Sequence, residues 1–464
     1  MKRGHRLQRW LAASLVGAVV LAACGDDDDG DAADDTPAAA DSTGATSADP
    51  GSGTEPGADD APIDEPVTIR FENYNLASAG PGRDTTLRLL ENFQAAHPNI
   101  TVETTATPDQ EMFQSIQAQV VAGNPPDVAQ LVLREWDQII ENLPVQPLDE
   151  VVGREAVEAH LQDGHPYHPN AAALTVRNGV QYGLAYVFST PTLFYNADLF
   201  RAAGLDPDDP PSTWEEVADA AQAIADNTDG DGLYIACIEL DWCTQALLLS
   251  NGARAMSEDR SEITWASPEA LEVYEFWQGM VQRGAHVDMA AADADAAFSA
   301  GKLGMVLHTS ARQGAYLGAS QGNWELRSTG MPSFGDKPPV PVNSGSGLGI
   351  LTDDPAKQAA AWELIKYLTS DEAQTIITQE MGYLPLRAGL VEDDAYLGAW
   401  ERRDLILPNL AQLDTLQPSL SFPGQNALQI RDLFLGSIET VLFHGGDVTS
   451  TFTESEERAN GLVR

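Results

Sequence analysis

Few residues of this chain have the types and the spacing that catalysis or metal binding requires. His160, His165 and His168 lie close together, and histidines spaced in this way on a helix could hold a metal ion. Pro166 and Pro169 would interrupt that helix, so we interpret the segment as a surface loop. Motifs of the serine-hydrolase, zinc-protease, P-loop and dinucleotide-binding classes do not occur. The sequence therefore predicts no catalytic residue, no metal site and no cofactor.

The first 24 residues have the three parts of a bacterial export signal. Basic residues at positions 2, 3, 6 and 9 precede an apolar run that ends in Leu21-Ala22-Ala23-Cys24. The run is about a dozen residues long, whereas a membrane-spanning helix needs roughly 20. The Leu-Ala-Ala-Cys sequence resembles the lipobox of bacterial lipoproteins, in which the cysteine receives a diacylglycerol. We therefore expect 1–24 to be a lipoprotein signal peptide and Cys24 to be lipidated, with an ordinary secretory peptide as the alternative.

The charge of the chain indicates a disordered tether and shows which partners the protein avoids. Residues 25–66 contain 14 acidic residues and no lysine or arginine, so we expect a disordered tether between the lipid and a folded domain. Residues 67–464 keep 56 acidic and 22 basic residues, a net charge of −34. Nucleic acid would repel such a domain. We expect a monomer that is held outside the cytoplasm by its lipid anchor on the cell membrane.

Only two cysteines follow Cys24. Cys237 and Cys243 are six residues apart, and in an oxidising compartment such a pair is most simply a disulfide that closes a small loop. Metal binding, the alternative, would require more ligands than this pair and its acidic neighbours offer.

The elements that position these residues alternate between strands and helices. Apolar patterns predict strands at 67–71, 100–102 and 127–133, separated by a helix that ends before Pro98 and a helix over 112–121. Further on, Thr213, Ser267, Asp354 and Ser370 each have the sequence context of a helix N-cap. The β-α-β-α-β order indicates the α/β class, with a largely parallel sheet that is covered by helices.

Aromatic residues suggest what the folded domain binds. Several of the nine tryptophans stand beside predicted turns: Trp136, Trp214, Trp242, Trp265 and Trp324. Each one alone fits a core position well. As a set in an exported protein they suit stacking on the C–H faces of sugars or polyols.

A known family has motifs that match this chain in order. The matches include Ser189-Thr190-Pro191, Pro210-Pro211-Ser212-Thr213-Trp214 and Gly382-Tyr383-Leu384-Pro385, within segments 182–196, 198–207, 210–215, 298–305, 360–368 and 382–385. Together they cover most of 67–464. The chain resembles the family 1 extracellular solute-binding proteins of ABC importers, and within them the glycerol-3-phosphate and glycerophosphodiester binders.

The resemblance implies an α/β fold of the periplasmic-binding-protein type, with two lobes and a ligand cleft between them. It places the N-terminal lobe mainly at 67–182 and about 300–344, and the C-terminal lobe mainly at 190–297 and about 349–464. Crossings between the lobes are expected near 304–309 and 344–348. It also implies hinge closure around a solute and docking on ABC permease subunits.

The resemblance also implies a set of ligand-binding residues. A serine, two tryptophans, a glycine and a tyrosine of the family's pocket match Ser189, Trp214, Trp242, Gly345 and Tyr383, and its phosphate-binding arginine matches Arg431. One departure is that the acid and tyrosine expected after the Pro-Asp-Val strand are not evident at 131–134. We therefore expect a lipid-anchored importer subunit for a carbohydrate or a glycerol-phosphate-type solute. The alternative is a surface-anchored hydrolase of carbohydrates with two catalytic carboxylates in a cleft.

Overall fold

The computed structural model describes residues 63–463. The predicted signal peptide (1–24), the lipidation site Cys24 and residues 25–62 of the predicted tether lie outside these residues. The last four residues of that tether are described, and Ile63 packs against a hydrophobic core while its carbonyl accepts a hydrogen bond from Asn99 Nδ2 (2.9 Å). The folded body therefore begins slightly before Val67. None of the helices in the described part of the chain is long and apolar enough to cross a membrane.

Strands and helices alternate along these residues, as the apolar patterns predict. The strands are β1 (Val67–Asn73), β2 (Ile100–Ala106), β3 (Val128–Val132), β4 (Val176–Arg177), β5 (Val180–Gln181), β6 (Leu184–Ser189), β7 (Pro191–Asn196), β8 (Asp231–Ile235), β9 (Leu303–Thr309), β10 (Leu326–Thr329) and β11 (Ser344–Ile350). The helices are α1 (Pro81–Ala96), α2 (Met112–Val121), α3 (Trp136–Asn142), α4 (Arg154–Gln162), α5 (Pro169–Ala172), α6 (Ala197–Ala202), α7 (Trp214–Asn227), α8 (Asp241–Ser250), α9 (Pro268–Gln282), α10 (Ala291–Ser299), α11 (Gln313–Ser320), α12 (Pro355–Leu368), α13 (Asp371–Met381), α14 (Leu407–Leu410), α15 (Ala427–Phe443) and α16 (Val448–Val463).

The predicted helix starts are confirmed by their hydrogen bonds. Thr213 Oγ1 accepts from the Glu216 amide, and the Glu216 carboxylate accepts from the Thr213 amide, which completes a capping box on α7. Ser267, Asp354 and Ser370 cap their helices through the same kind of side-chain bond. These local signals fix the ends of the helices that cover the sheets.

Two separate sheets define two lobes. The N-terminal lobe has the strand order β2-β1-β3-β11-β6, in which β1 runs parallel to β2 and β3 while β11 runs antiparallel to β3 and β6. The C-terminal lobe has the order β10-β7-β9-β8. Helices α12 and α13 pack on the N-terminal sheet, and helices α7 to α9, α15 and α16 enclose the core of the C-terminal lobe. The α/β, two-lobed fold expected from the sequence is confirmed.

The predicted division of the chain between the lobes needs correction. Strand β9 pairs with β7 and β8, and β10 pairs with β7, so residues 303–329 belong to the C-terminal lobe and the chain does not cross near 304–309. Residues 344–381 return to the N-terminal lobe, and the C-terminal lobe resumes at α15. The chain therefore crosses at Thr190, within 330–343 and within 382–426.

The histidine segment also differs from its sequence interpretation. His160 lies on α4, buried beside Trp362, and burial lowers its pKa to about 4. His165 and His168 follow in the loop before α5. Among the described residues no three histidine, cysteine or acidic side chains are grouped so that they could hold a metal ion.

One buried arginine, shortly after α13, joins several segments of the N-terminal lobe through hydrogen bonds. The Arg387 side chain is 1% exposed and lies over the Tyr167 ring, with its Nε 3.5 Å from the Asp371 carboxylate. It donates hydrogen bonds to four main-chain carbonyl oxygens, those of His160, Asp163, His165 and Thr369. Tyr383, a candidate site residue, lies only four residues before Arg387, so these hydrogen bonds also help to position it.

Replacing Arg387 with methionine should destabilise the N-terminal lobe strongly. Four main-chain carbonyls would lose a charged donor and the Asp371 carboxylate its buried cationic partner, and breaking such a group costs about 3–5 kcal/mol. Denaturant unfolding measures the loss. Arg154→Ala is the matched control, because its side chain is 59% exposed and its removal should change stability by no more than about 0.5 kcal/mol. Equal effects of the two substitutions would contradict the role given to Arg387.

Candidate functional site

The first crossing between the lobes places Ser189 at their junction. Strand β6 ends at Ser189, which pairs with Ser344 of β11, and Ser189 Oγ accepts a hydrogen bond from Thr309 Oγ1 (2.8 Å) at the end of β9. The Ser310 amide donates to the carbonyl of Thr190 (3.0 Å). Residues of both lobes therefore meet around this predicted site serine.

Gly345 is required by backbone geometry. Its φ is +123°, and a Cβ built there would lie 2.0 Å from the carbonyl oxygen of Val187 on the neighbouring strand. Only glycine permits this close approach of β11 to β6. The main chain of β11 can thus run along the junction of the lobes, close to Ser189.

Polar side chains of the N-terminal lobe lie close together on β3 and β11 and just after β1. Gln130 of β3 accepts from the Tyr74 amide (3.2 Å) and donates to Ser346 Oγ (2.9 Å). The side chain of Tyr74 lies close enough to Tyr383 to act on its pKa, and burial raises the pKa of Tyr383 to about 12. The predicted tyrosine therefore belongs to a neutral, hydrogen-bonding network.

Several polar atoms beside this network are buried and have no partner among the described residues. They are Nδ2 of Asn75, Oγ of Ser310, and both amide atoms of Gln313. Gln313, the first residue of α11, and Ser310, three residues before it, pack against the turn before Tyr383, since a Cβ on Gly382 would lie 2.9 Å from Gln313 Cβ and 3.0 Å from the Ser310 carbonyl oxygen. An unpaired buried donor or acceptor costs about 1–3 kcal/mol. We call Tyr74, Asn75, Ser310, Gln313 and Tyr383 the polar cluster.

Charged side chains lie further along the gap between the lobes. Arg431 Nε is 3.6 Å from Asp241 Oδ1, and Arg134 Nη2 is 3.3 Å from Glu135 Oε1. Burial raises the pKa of Glu135, while the positive charges of Arg134 and Arg431 lower it. Asp109 acts electrostatically on both Glu135 and Tyr383, which connects the charged group to the polar cluster.

Two cavities open at these charged residues. One of about 180 Å³ has Gln110, Phe113 and Glu135 of the N-terminal lobe on one side, with Asp241, Leu428 and Arg431 of the C-terminal lobe on the other. A second, of about 800 Å³, extends from Gln110 past Arg431 to Glu239 and Asp288. Arg431 lines both cavities and so lies in the cleft between the lobes.

The two predicted tryptophans lie in the core of the C-terminal lobe. Trp214 is the first residue of α7 and is 1% exposed, with its ring 5.9 Å from that of Phe334 and its indole N–H unpaired among the described residues. Trp242 of α8 is 5% exposed. Contact of the predicted site residues with a ligand stays a prediction: Ser189 and Gly345 lie at the junction of the lobes, Tyr383 lies in the polar cluster, and Arg431 lines both cavities.

Sequence reasoning missed several residues of the cleft. An acidic side chain, Glu135, follows β3 one residue beyond 131–134, and Tyr74 follows β1. Gln130 could have been recognised from the sequence, because it is the one amide side chain in an otherwise apolar strand. Asp241 could have been recognised too, because it stands next to Trp242 and between the two cysteines. Gln313 carried no local signal.

A disulfide joins Cys237, after β8, to Cys243 on α8, with Cα atoms 4.8 Å apart. The loop that it closes contains Asp241, the partner of Arg431, so the bond restrains one wall of the cleft.

This fold and site define a class: a two-lobed binding protein with a ligand cleft between its lobes. The chain belongs to the bacterial extracellular solute-binding protein family, whose sequence profile matches residues 79–375. It is therefore an extracytoplasmic binding protein, and membership of this family excludes the surface-hydrolase alternative.

Individual relatives are distant but match over most of their length. A putative binding protein of Brucella abortus (strain 2308) is 22% identical over 80% of this chain and 88% of its own. The solved cyclic alpha-maltosyl-1,6-maltose binding protein from Arthrobacter globiformis has a TM-score of 0.71 at 22% identity, covering 86% of this chain and 99% of its own. UgpB from Mycobacterium tuberculosis, solved in complex with glycerophosphocholine, has a TM-score of 0.72 at 21% identity, covering 86% and 98%. These structures show the same fold.

The disulfide should be present in freshly isolated protein and should support ligand binding. Mass spectrometry of the unreduced protein should find Cys237 linked to Cys243. The double variant Cys237→Ser/Cys243→Ser should bind solute several-fold more weakly, because the loop carrying Asp241 loses its restraint. Two free thiols in native protein would contradict the first expectation, and unchanged calorimetric affinity would contradict the second.

Proposed function

We propose that this protein is the lipid-anchored binding subunit of an ABC importer, and that it captures an uncharged, hydroxyl-rich solute of the sugar type. The solute would lie between the lobes at the polar cluster. The closed protein would deliver it to permease subunits in the membrane to which Cys24 is anchored.

The observation that carries this proposal is the set of buried, unpartnered groups in the polar cluster. The free groups of Asn75, Ser310 and Gln313 are amides and a hydroxyl, so they are electrically neutral. Sugar hydroxyls both donate and accept hydrogen bonds, and they match such groups without bringing a charge into a buried site. A solute of this kind would remove the cost of leaving these atoms unpaired.

The pairing of Arg431 supports an uncharged solute. Its guanidinium faces Asp241, and Glu135 lies close enough to act on it electrostatically. The larger cavity adds the carboxylates of Glu239, Asp288, Asp432 and Glu439 beside it. A phosphate that approached Arg431 would have to compete with Asp241 and would meet this negative surrounding.

A glycerophosphate-type solute is the second candidate, and the position of Arg431 favours it. This arginine lines both cavities of the cleft, and its Nε has no hydrogen-bond partner among the described residues. An arginine is well suited to bind phosphate by charge-assisted hydrogen bonds. The solved relatives include binders of both kinds, cyclic alpha-maltosyl-1,6-maltose and glycerophosphocholine.

Substitutions at Gln313 and Arg431 should separate the two candidates. Maltotriose and glycerophosphocholine serve as probes in a thermal-shift screen, followed by calorimetry. For a sugar, Gln313→Ala should weaken binding about five- to tenfold, since a neutral hydrogen bond is worth about 1 kcal/mol, and Arg431→Ala should matter less. For a phosphodiester, Arg431→Ala should weaken binding more than tenfold. Gln321→Ala, an exposed position just beyond the end of the same helix, is the control.

One result of these measurements would contradict the sugar proposal. Binding of glycerophosphocholine by the wild type, lost in Arg431→Ala and retained in Gln313→Ala, would replace it with the second candidate.

The anchor is tested separately. Cys24→Ala should prevent lipidation and release the protein from the membrane into a soluble extracytoplasmic fraction. Fractionation followed by immunoblotting measures the distribution. Retention of the variant on the membrane at the wild-type level would show that Cys24 is not the anchor.

A further inference from the structure

An arginine of the C-terminal lobe reaches across the cleft to the N-terminal lobe. Arg260 Nη1 lies 2.7 Å from Asp137 Oδ2, on helix α3. The Arg260 side chain is 25% exposed and that of Asp137 35%, so water surrounds the pair only in part. An ion pair in such a position joins two bodies that otherwise move apart when the cleft opens.

Hydrogen bonds within its loop hold Arg260 in an unusual backbone conformation. Arg260 has a φ of +59°, a backbone conformation that costs a non-glycine residue free energy. The surrounding turn fixes this conformation through the Ser257 amide, which donates to Glu262 O (2.8 Å), and through Ser257 Oγ, which donates to Asp259 Oδ1 (2.7 Å). The Ser261 amide also donates to Asp259 Oδ1 (3.1 Å). A strained residue held by its neighbours in this way indicates a function for its side chain.

The acceptor is held equally firmly on the other lobe. The Asp137 carboxylate also receives a hydrogen bond from Arg177 Nε. Arg177 in turn donates to the carbonyls of Leu174 (3.2 Å) and Val176 (2.8 Å). Asp137 is therefore oriented before Arg260 arrives, which lowers the entropic cost of forming the pair.

A backbone contact lies beside the ion pair. The Ser421 amide donates to the carbonyl of Arg134 (3.3 Å) across the gap, and Arg260 Nη2 lies 3.5 Å from Ser421 Oγ. Cavities lie on the two sides of these contacts: the one of about 180 Å³ described above, and one of about 390 Å³ between Asp137, Arg177 and Leu420. The contacts thus close off one end of the cleft.

We propose that Arg260 is an interlobe latch, which holds the two lobes together at one end of the cleft through Asp137 and thereby slows opening. Release of solute to a permease then requires this ion pair to break. Because both side chains are partly exposed, the latch is weak enough to open and is weakened further by salt.

The latch is tested on the full-length protein without ligand, by small-angle X-ray scattering and by hydrogen exchange. Arg260→Asn removes the guanidinium but keeps a residue that tolerates positive φ. Asp137→Asn removes the acceptor charge from the other lobe and leaves the Arg260 loop unaltered. In both variants the ratio of open to closed molecules should rise about tenfold, the effect of about 1.4 kcal/mol. The radius of gyration should increase, and exchange of the Ser421 amide should accelerate by a similar factor.

The control is Arg254→Ala. Arg254 pairs with Glu258 at 3.1 Å within the C-terminal lobe, so its loss should leave both measurements unchanged. Wild-type scattering in 1 M salt should move toward that of the variants. Unchanged scattering and unchanged Ser421 exchange in both latch variants would overturn the proposal. Since neither measurement uses a solute, this outcome is distinct from a failure of the protein to bind sugars.

Discussion

The need to pair buried polar groups between the lobes governs this structure. Gln313 and Ser310 are buried almost completely, yet their side-chain donors and acceptors have no protein partner among the described residues. Native proteins rarely leave such groups unpaired, because each one costs about 1–3 kcal/mol. Such groups come from both lobes, since Asn75 follows β1 whereas Ser310 and Gln313 follow β9, and we propose that a solute satisfies them.

Hydrogen bonds tie the three crossings between the lobes to one another. The first crossing is Thr190, and Asn409 holds it from the third crossing by donating to Thr190 Oγ1 (2.8 Å) and Thr192 Oγ1 (2.7 Å). The second crossing is tied to the third as well, because the Ser419 amide donates to Asn343 Oδ1 (2.8 Å). The hinge side of the cleft is thus heavily bonded, whereas its far end is joined by the Arg260–Asp137 ion pair and by two hydrogen bonds of Ser421.

Local sequence signals predicted the elements well and their assembly less well. The caps at Thr213, Ser267 and Asp354 were predictable because a side chain bonds to the main chain two or three residues away. The placement of 303–329 was not, since β9 is a short apolar strand and its partners are chosen by tertiary contacts. His160 was misread because two later prolines do not interrupt a helix that has already ended at Gln162.

The candidate site shows the same limit. The resemblance pointed to Tyr383, Arg431 and Gly345; Arg431 lines both cavities, Gly345 lies on β11 at the junction of the lobes, and a ligand contact of all three stays a prediction. It did not point to Gln313, whose significance arises only because α11 packs against Gly382 and buries it. The charge on Arg431 could be seen in the sequence, but its neutralisation by Asp241 depends on the loop closed by Cys237 and Cys243.

The central claim is that an uncharged solute completes the polar cluster. A crystal structure of the wild-type protein with the solute with which it co-purifies tests this most directly. We expect hydroxyl groups of the solute within hydrogen-bonding distance of Gln313, Ser310 and Asn75, with Arg431 still facing Asp241. A phosphate bound to Arg431 in place of Asp241, with the Gln313 amide still unpaired, would contradict it.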